Sequence, residues 1–372
     1  MIIRKMNNES KSPDIKVLIS SCTGIGNMVL KTPFINSIIK NFDKVQLDLV
    51  VGFRDKSEFI FEDQGIIDER VTLISQKDFF GKIRFCLNIR RKKYEYIFLP
   101  FDDEMSLSVK LFLSIFSGAK IVTHYTLPRL TTPRALLIFL FYLLNPRVIL
   151  VPFLPGRHEI DLNYDLLQSL KDYPIKRSYK TFVEYKCDEK ILEQFSLSPN
   201  KYIVLQLSAR SGAPTPKKWP LKNFIDLYNK INKEFPDIKI VTIGNSEDFE
   251  TDVSEFIKAC PEVINTAGKT SLKEVTSIML YAAVSIVHDS GAMHLANAVS
   301  AKVIALYGPT DISRTGPLDE NTKVLVSQNK STNIMFNSSI GEEGVLDIFG
   351  EDFCMSDIAP ELVLDEIRRF LS

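Results

Sequence analysis

Most of the marks that assign a protein quickly are missing from this chain. Its 372 residues include five cysteines, Cys22, Cys86, Cys187, Cys260 and Cys354, and no two form a CxxC pair. That excludes a zinc ribbon or a disulfide framework and fits a reducing compartment. Neither sign of charge is in excess, with 46 Lys and Arg against 46 Asp and Glu. A general nucleic-acid binder usually carries a basic surplus, so no nucleic-acid partner is expected. HExxH, GxSxG, Walker A and DxD patterns are absent, and His124, His158, His288 and His294 show no metal-ligand spacing. Metal independence is the expectation. There is no short-period repeat and no low-complexity segment. The longest purely apolar run, Ala135 to Leu144, has ten residues. A helix that short cannot cross about 30 Å of hydrocarbon. Burial in the core is the preferred reading of this run, and a surface helix dipping into a bilayer is the alternative. Residues 1–14 hold no apolar core of signal-peptide length and read as a flexible tail.

What is present is ordinary in amount and telling in arrangement. Hydrophobic residues make up 45% and charged residues 25%, which are globular rather than disordered values. The length suggests about two domains. Gln76 to Lys93 holds seven basic residues and one acidic, whereas Gly341 to Glu366 holds nine acidic residues and no Lys or Arg. These stretches read either as two solvated faces or as a basic N-terminal face that meets an anionic partner such as a lipid surface.

Apolar strands alternate with helical stretches. Strands are expected at 15–20, 45–51, 71–75, 94–101 and 120–125, and in a second series at 202–207, 238–244, 263–265, 284–288 and 302–307. Helices fill the gaps, among them 221–235, 247–259, 271–282, 291–299 and a closing one at 360–371. Such alternation means βαβ units and parallel sheets covered on both faces. Two series mean two doubly wound domains. The expected division is a tail at 1–14, one domain at 15–178, a second at 179–350, and a helical segment at 351–372 that packs back across the domains.

Ligands of open parallel sheets bind beyond the C-terminal strand ends, so the loops there carry the candidates. After the first strand comes Thr23-Gly24-Ile25-Gly26-Asn27, where Gly24 and Gly26 allow close backbone approach. It is not GxGxxG, no acidic residue closes the second strand at the usual ribose position, and taken alone a tight structural turn is the preferred reading. After the strand at 202–207, Ser208 and Arg210 precede Lys217 and Lys218, a set that suits a diphosphate or a plain charged surface. After the strand at 284–288, Asp289-Ser290-Gly291-Ala292-Met293-His294 opens a helix. Backbone N–H groups there can hold an anion, and Asp289 can accept from sugar hydroxyls. Asp289 or Ser290 could instead be a helix cap. Thr310 lies in the next turn, beside that pocket. Asp102 and Asp103 follow the strand at 94–101, either as acid–base groups or as part of a solvated loop.

Taken together, these segments resemble glycosyltransferase family 9, the heptosyltransferases of the lipopolysaccharide inner core. The resemblance runs from about residue 15 to 370. It rests on VLISSCTGIGNMVLKTPFINSI, RHEIDLNYDLL, KKWPLKNFIDL, the long stretch AGKTSLKEVTSIMLYAAVSIVHDSGAMHLANAVSAKVIALYGPTDISRTGPL, and CMSDIAPELVLDEI. It implies a GT-B fold of two Rossmann-like domains facing a cleft. It also implies an inverting, metal-independent transfer from a nucleotide-sugar donor, ADP-heptose in the first instance, with no further cofactor. The donor would lie on the C-terminal domain, with the family's donor lysine on Lys217, its sugar-binding aspartate on Asp289 and a phosphate-contacting hydroxyl on Ser208. A lipopolysaccharide or related glycolipid acceptor would lie on the N-terminal domain, at the cytoplasmic face of the inner membrane.

One position departs from the family. Its glycine turn ends Gly-Asp, the aspartate being the general base, and here the residue is Asn27. An amide cannot take a proton at neutral pH. Asp102 or Asp103 is the expected surrogate. The alternatives are an acceptor that is phosphorylated or otherwise activated and needs little base help, a different nucleotide-sugar donor, or a catalytically weak nucleotide-sugar-binding protein.

Overall fold

The computed structural model describes residues 15–372 except 22, 43, 52–56, 62–64, 73–77, 103–104, 126–132, 171–174, 210–214 and 330–354. The chain divides into two compact units, Met1–Tyr185 and Lys186–Ser372.

Unit 1 is built on strands β1 (Ile15–Ser20), β2 (Val45–Val51), β3 (Glu69–Thr72), β4 (Tyr96–Leu99), β5 (Lys120–Tyr125) and β6 (Val148–Pro152). All pair in parallel, in the order β3-β2-β1-β4-β5-β6. Helices α1 (Ile25–Asn41), α2 (Phe79–Lys92), α3 (Leu107–Phe116), α4 (Pro133–Leu144) and α5 (Glu159–Gln168) connect or follow them. Helix α3 packs with α2 and α4, and α5 packs on α1. With this strand order, the right-handed rule for parallel crossovers puts the first group on one face and α1 on the other. Of the two central strands, β4 (YIFL) is apolar and buried throughout, and β1 is buried over Val17–Ser20, because both faces are covered there.

Helix α1 carries the proline of KTPF in its interior. Pro33 has no N–H, so the Val29 carbonyl one turn back loses its partner. The Thr32 hydroxyl supplies one instead, donating to Val29 O at 2.7 Å, and it also accepts from Phe182 N at 3.0 Å. Helix α5 holds α1 in place. Ile160 and Tyr164 pack on Leu30, and the Tyr164 hydroxyl donates to Pro33 O at 3.1 Å. Arg177 pins the following segment to α5 through Asp161 and Asp165 at 2.6 and 3.1 Å. The RHEIDLNYDLL stretch therefore fixes the helix that begins at the glycine turn.

Unit 2 repeats the plan. Strands β7 (Tyr202–Gln206), β8 (Lys239–Ile243), β9 (Ile264–Asn265), β10 (Val284–His288), β11 (Val303–Tyr307) and β12 (Thr322–Val326) form a parallel sheet ordered β12-β11-β10-β7-β8-β9. Read from β9, this is the same winding as in unit 1. Its helices are α6 (Ile191–Gln194), α7 (Leu221–Glu234), α8 (Ser246–Asp248), α9 (Ser254–Ala259), α10 (Leu272–Tyr281), α11 (Gly291–Ala298), α12 (Ile312–Thr315) and α13 (Pro360–Leu371). The core gathers Trp219, Phe224, Phe256, Ile286 and Leu306, and α13 adds Val363, Leu364 and Ile367 to it. Helix α13 packs on α7, β11 and β12 of its own unit.

Three sequence expectations need correction. The helix expected over 247–259 is broken by a π-helical turn at Phe249–Val253. The edge strands β6 and β12 were not singled out. Both are only partly buried; β12 (TKVLV) is interrupted by Lys323, whereas β6 (VILVP) is apolar throughout, and Pro152 is tolerated at the end of an edge strand. The apolar helix α4 is not buried. Among its described side chains only Ile138 and Tyr142 are buried, while Leu136, Leu137, Leu140, Phe141, Leu143 and Leu144 are exposed. No described helix is long and apolar enough to cross a membrane.

Candidate functional site

In a sheet wound this way, the chain leaves the two middle strands toward opposite faces, and a crevice opens between their ends. In unit 2 those strands are β7 and β10, with Leu205 opposite Ile286. The residues after them are Ser208 and Asp289.

Asp289 is buried and held from two sides. Lys217 Nζ lies 3.0 Å from its Oδ2, and the Thr310 hydroxyl donates to the same oxygen at 2.8 Å. Burial pushes its carboxyl up, but the Lys217 ammonium, the Thr310 hydroxyl and His294 pull it down further, so it lies below its ordinary value. The nearby Tyr307 hydroxyl is pushed far up by burial and by Asp289. Lys217, Asp289 and Thr310 thus converge from three separate loops.

Neither Asp289 nor Ser290 caps α11. Ser290 occupies the N-cap position but makes no side-chain cap bond, and its hydroxyl donates instead to Gln206 Oε1 at 3.0 Å. Among the described residues, the N-cap side chain therefore leaves the first-turn N–H groups of α11 uncapped. Gly291 and Ala292 keep that turn small, and Met293 and His294 are buried beneath it. A free helix N-terminus beside a lysine is an anion site. The next loop must stay close as well, because a Cβ on Gly308 would lie 2.4 Å from Met355 Sδ and 3.4 Å from Pro216 O.

Ser208 is engaged. Its hydroxyl donates to Asp252 Oδ2 at 2.7 Å, and Lys218 Nζ lies 2.5 Å from Asp252 Oδ1. Sequence reasoning missed Asp252 because Glu247, Asp248, Glu250 and Glu255 surround it and no spacing sets it apart. It also missed Gln206, whose signal was a polar residue closing an apolar strand. His288 is fully buried, and its Nε2 accepts from Trp219 N at 2.9 Å. Burial, with the Lys218 charge adding to it, pushes its imidazole down to about 3. Arg210 lies outside the described residues.

The corresponding strands of unit 1 are β1 and β4, and the residues after them also meet. Asn27 Nδ2 donates to Thr23 Oγ1 at 3.1 Å, and the Thr23 hydroxyl donates to Asp102 Oδ2 at 2.9 Å. Lys31, one turn into α1 from Asn27, reaches the same Asp102 oxygen at 2.5 Å. The Lys31 and Asp102 side chains are 0% and 1% exposed, and Asp102 Oδ1 is buried with no hydrogen-bond partner among the described residues. Gly24 is exposed at the helix start, and the space where its Cβ would stand is open. Gly26 follows in the first turn of α1. Lys31 was not foreseen; its signal was a lone charge on an apolar helix face. Asp103 lies outside the described residues.

Comparison with known proteins agrees with this scaffold. A sequence model of glycosyltransferase family 9 (heptosyltransferase) matches residues 138–340, more than half of the chain. Lipooligosaccharide heptosyltransferase 2 of Haemophilus influenzae is 26% identical over 217 residues, 56% of this chain and 59% of that protein. The chain therefore spans less than two thirds of that relative. Lipopolysaccharide heptosyltransferase 3 of Escherichia coli is 25% identical over 298 residues, 77% of this chain and 81% of the other. The solved structure of E. coli ADP-heptose LPS heptosyltransferase II superposes with a TM-score of 0.66 at 18% identity, covering 96% of this chain and 98% of that one. Two Rossmann-like domains in one chain, each with a crevice at its switch point, define the GT-B class. Within that class, the chain belongs to glycosyltransferase family 9.

Proposed function

We propose that this protein is an inverting, metal-independent glycosyltransferase. It moves a sugar, heptose from ADP-heptose in the first instance, onto a lipopolysaccharide core or related glycan acceptor at the cytoplasmic face of the inner membrane. The observation that carries this reading is Asp289, fixed by Lys217 and Thr310 beside the uncapped N-terminus of α11. The named heptosyltransferase relatives supply the sugar and acceptor class.

The donor diphosphate lies against Lys217 and the first turn of α11. As the anomeric bond breaks, negative charge grows on the leaving diphosphate, and these groups stabilise it without a divalent cation. Asp289 orients the sugar through its hydroxyls. The acceptor hydroxyl attacks from the opposite face, and its proton must leave. Thr23 takes that proton while passing its own to Asp102 Oδ2, along a hydrogen bond that already exists. Asn27 positions Thr23 and the acceptor but takes no proton.

Turnover of ADP-heptose on a core-type acceptor, assayed in EDTA with the product's anomeric configuration read by NMR, tests the proposal. Metal-free transfer with inversion supports it. Retention, or strict dependence on added Mg²⁺, contradicts it. Loss of about 10²–10⁴ in kcat is expected for Asp102→Asn if the relay is right.

A further inference from the structure

The outer layer of unit 1 is built unlike the rest of its surface. Helices α2, α3 and α4 lie side by side on one face of the sheet. Phe79 of α2 meets Phe112 of α3 edge-on at 5.6 Å, and Asn145, just after α4, donates to Ser114 O of α3 at 3.2 Å. These three helices contain Lys82, Arg84, Arg90, Arg91, Lys92, Lys110 and Arg134 and not one Asp or Glu. On the opposite face, α5 carries Glu159, Asp161 and Asp165.

The same layer exposes large apolar side chains. Leu137 and Leu144 of α4 are 67% and 83% exposed, and Phe80 at the start of α2 is 78% exposed. Leu136, Leu140, Phe141 and Leu143 extend the α4 patch. Helix α4 is pinned by Ile138 and Tyr142 and presents the rest of its apolar surface outward. An aqueous surface does not sustain such a patch without an occupant.

We infer that α4 lies in the interfacial zone of an anionic bilayer, with its leucines and Phe141 among the acyl chains and Phe80 at headgroup depth. The exposed Arg84, Arg90, Arg91 and Lys93 then meet lipid phosphates. Charge decides the occupant. A second copy of the chain docked here would set one predominantly basic layer, whose acids are Asp78 at the α2 N-cap and Glu69 paired with Lys92, against another, which costs rather than stabilises. Anionic headgroups complement it. The inference extends the proposed reaction, since a membrane-held acceptor would be met by the unit assigned to bind it.

Vesicle flotation tests the idea on the full chain. Phosphatidylcholine vesicles with and without phosphatidylglycerol are the probes, and the assay needs neither donor nor turnover. The protein is expected to float with the anionic vesicles and to be released by salt. Arg90→Ala/Arg91→Ala should weaken partition by roughly 30-fold, from two surface charges. Leu137→Glu/Leu144→Glu should weaken it by more than about 100-fold. Both pairs are solvent-exposed, and unchanged far-UV circular dichroism and nucleotide titration would show that fold and donor site persist. No binding to either vesicle at low salt, or equal binding by the variants, overturns the inference. So does a dimer in light scattering that the leucine variant dissociates. A failed transferase reading would appear in the nucleotide titration and leave the vesicle result untouched.

Discussion

Acidification should destabilise unit 2 through one side chain, His288. Its imidazole is fully buried, with Trp219 N–H donating to Nε2 at 2.9 Å, and a proton on Nε2 would break that bond. The folded group titrates at about 3, against 6.5 for a free histidine. The sign follows directly. The unfolded chain binds the proton first as pH falls, so stability is full above about pH 6.5 and drains as pH drops toward 3. Integrated from about pH 7 to about pH 4, the loss is about 3 kcal/mol. That is a large share of the roughly 5–15 kcal/mol that holds a domain together. Urea unfolding followed by fluorescence reads it locally, because Trp219 is the chain's single tryptophan and is buried in unit 2. The control is His288→Gln, whose amide oxygen can accept from Trp219 but does not titrate. Between the two pH values the wild type should lose about 3 kcal/mol more than the variant. Equal losses would refute the assignment of acid sensitivity to His288.

Two further outcomes are expected. Lys31→Met leaves the Asp102 carboxylate buried without its cation and should cost about 3–5 kcal/mol of unit 1 stability, with much of that recovered in Lys31→Met/Asp102→Asn. A double-mutant cycle by urea unfolding and circular dichroism checks it, and additive effects under about 1 kcal/mol would contradict a buried pair. Gly308→Ala drives a Cβ into Met355, 2.4 Å from Sδ, and should cost about 1–3 kcal/mol. An unchanged urea midpoint in Trp219 fluorescence would show that the loop gives way freely.

Both sheets were legible in the sequence because their central strands are largely buried on two faces and read as mostly apolar runs, with only single polar residues such as Lys16 and Ser285 inside them. The edge strand β12 is half-solvated and blends into loop, while β6 is apolar but separated from the apolar α4 by only three residues. Asp289 stood out because a carboxylate closing such a run before a small-residue turn serves either as a ligand group or as a helix cap, and the structure bonds it to Lys217 and Thr310. Lys217 and Thr310 were also named from the sequence, but their bonds to Asp289 were not legible there. Lys217 and Thr310 come from other loops, and Thr23 meets Asp102 across 79 residues because β1 and β4 happen to be neighbours. Strand order is a tertiary property, so no local pattern could have paired Lys31 with Asp102. Exposure of α4 was hidden for a related reason. An apolar helix has the same composition whether it faces a core or water, and only the sheet beneath it decides.

Metal-free calorimetric titration with ADP, comparing the wild type with Lys217→Met and Asp289→Asn, is the most direct test of a donor site at the end of β10. Binding by the wild type is expected, with at least about a tenfold loss in Lys217→Met, which removes a charged contact to the diphosphate. Asp289→Asn should largely retain ADP, since its proposed partner is the sugar that ADP lacks. Equal ADP affinity in the wild type and Lys217→Met, or no binding by the wild type, would contradict the account.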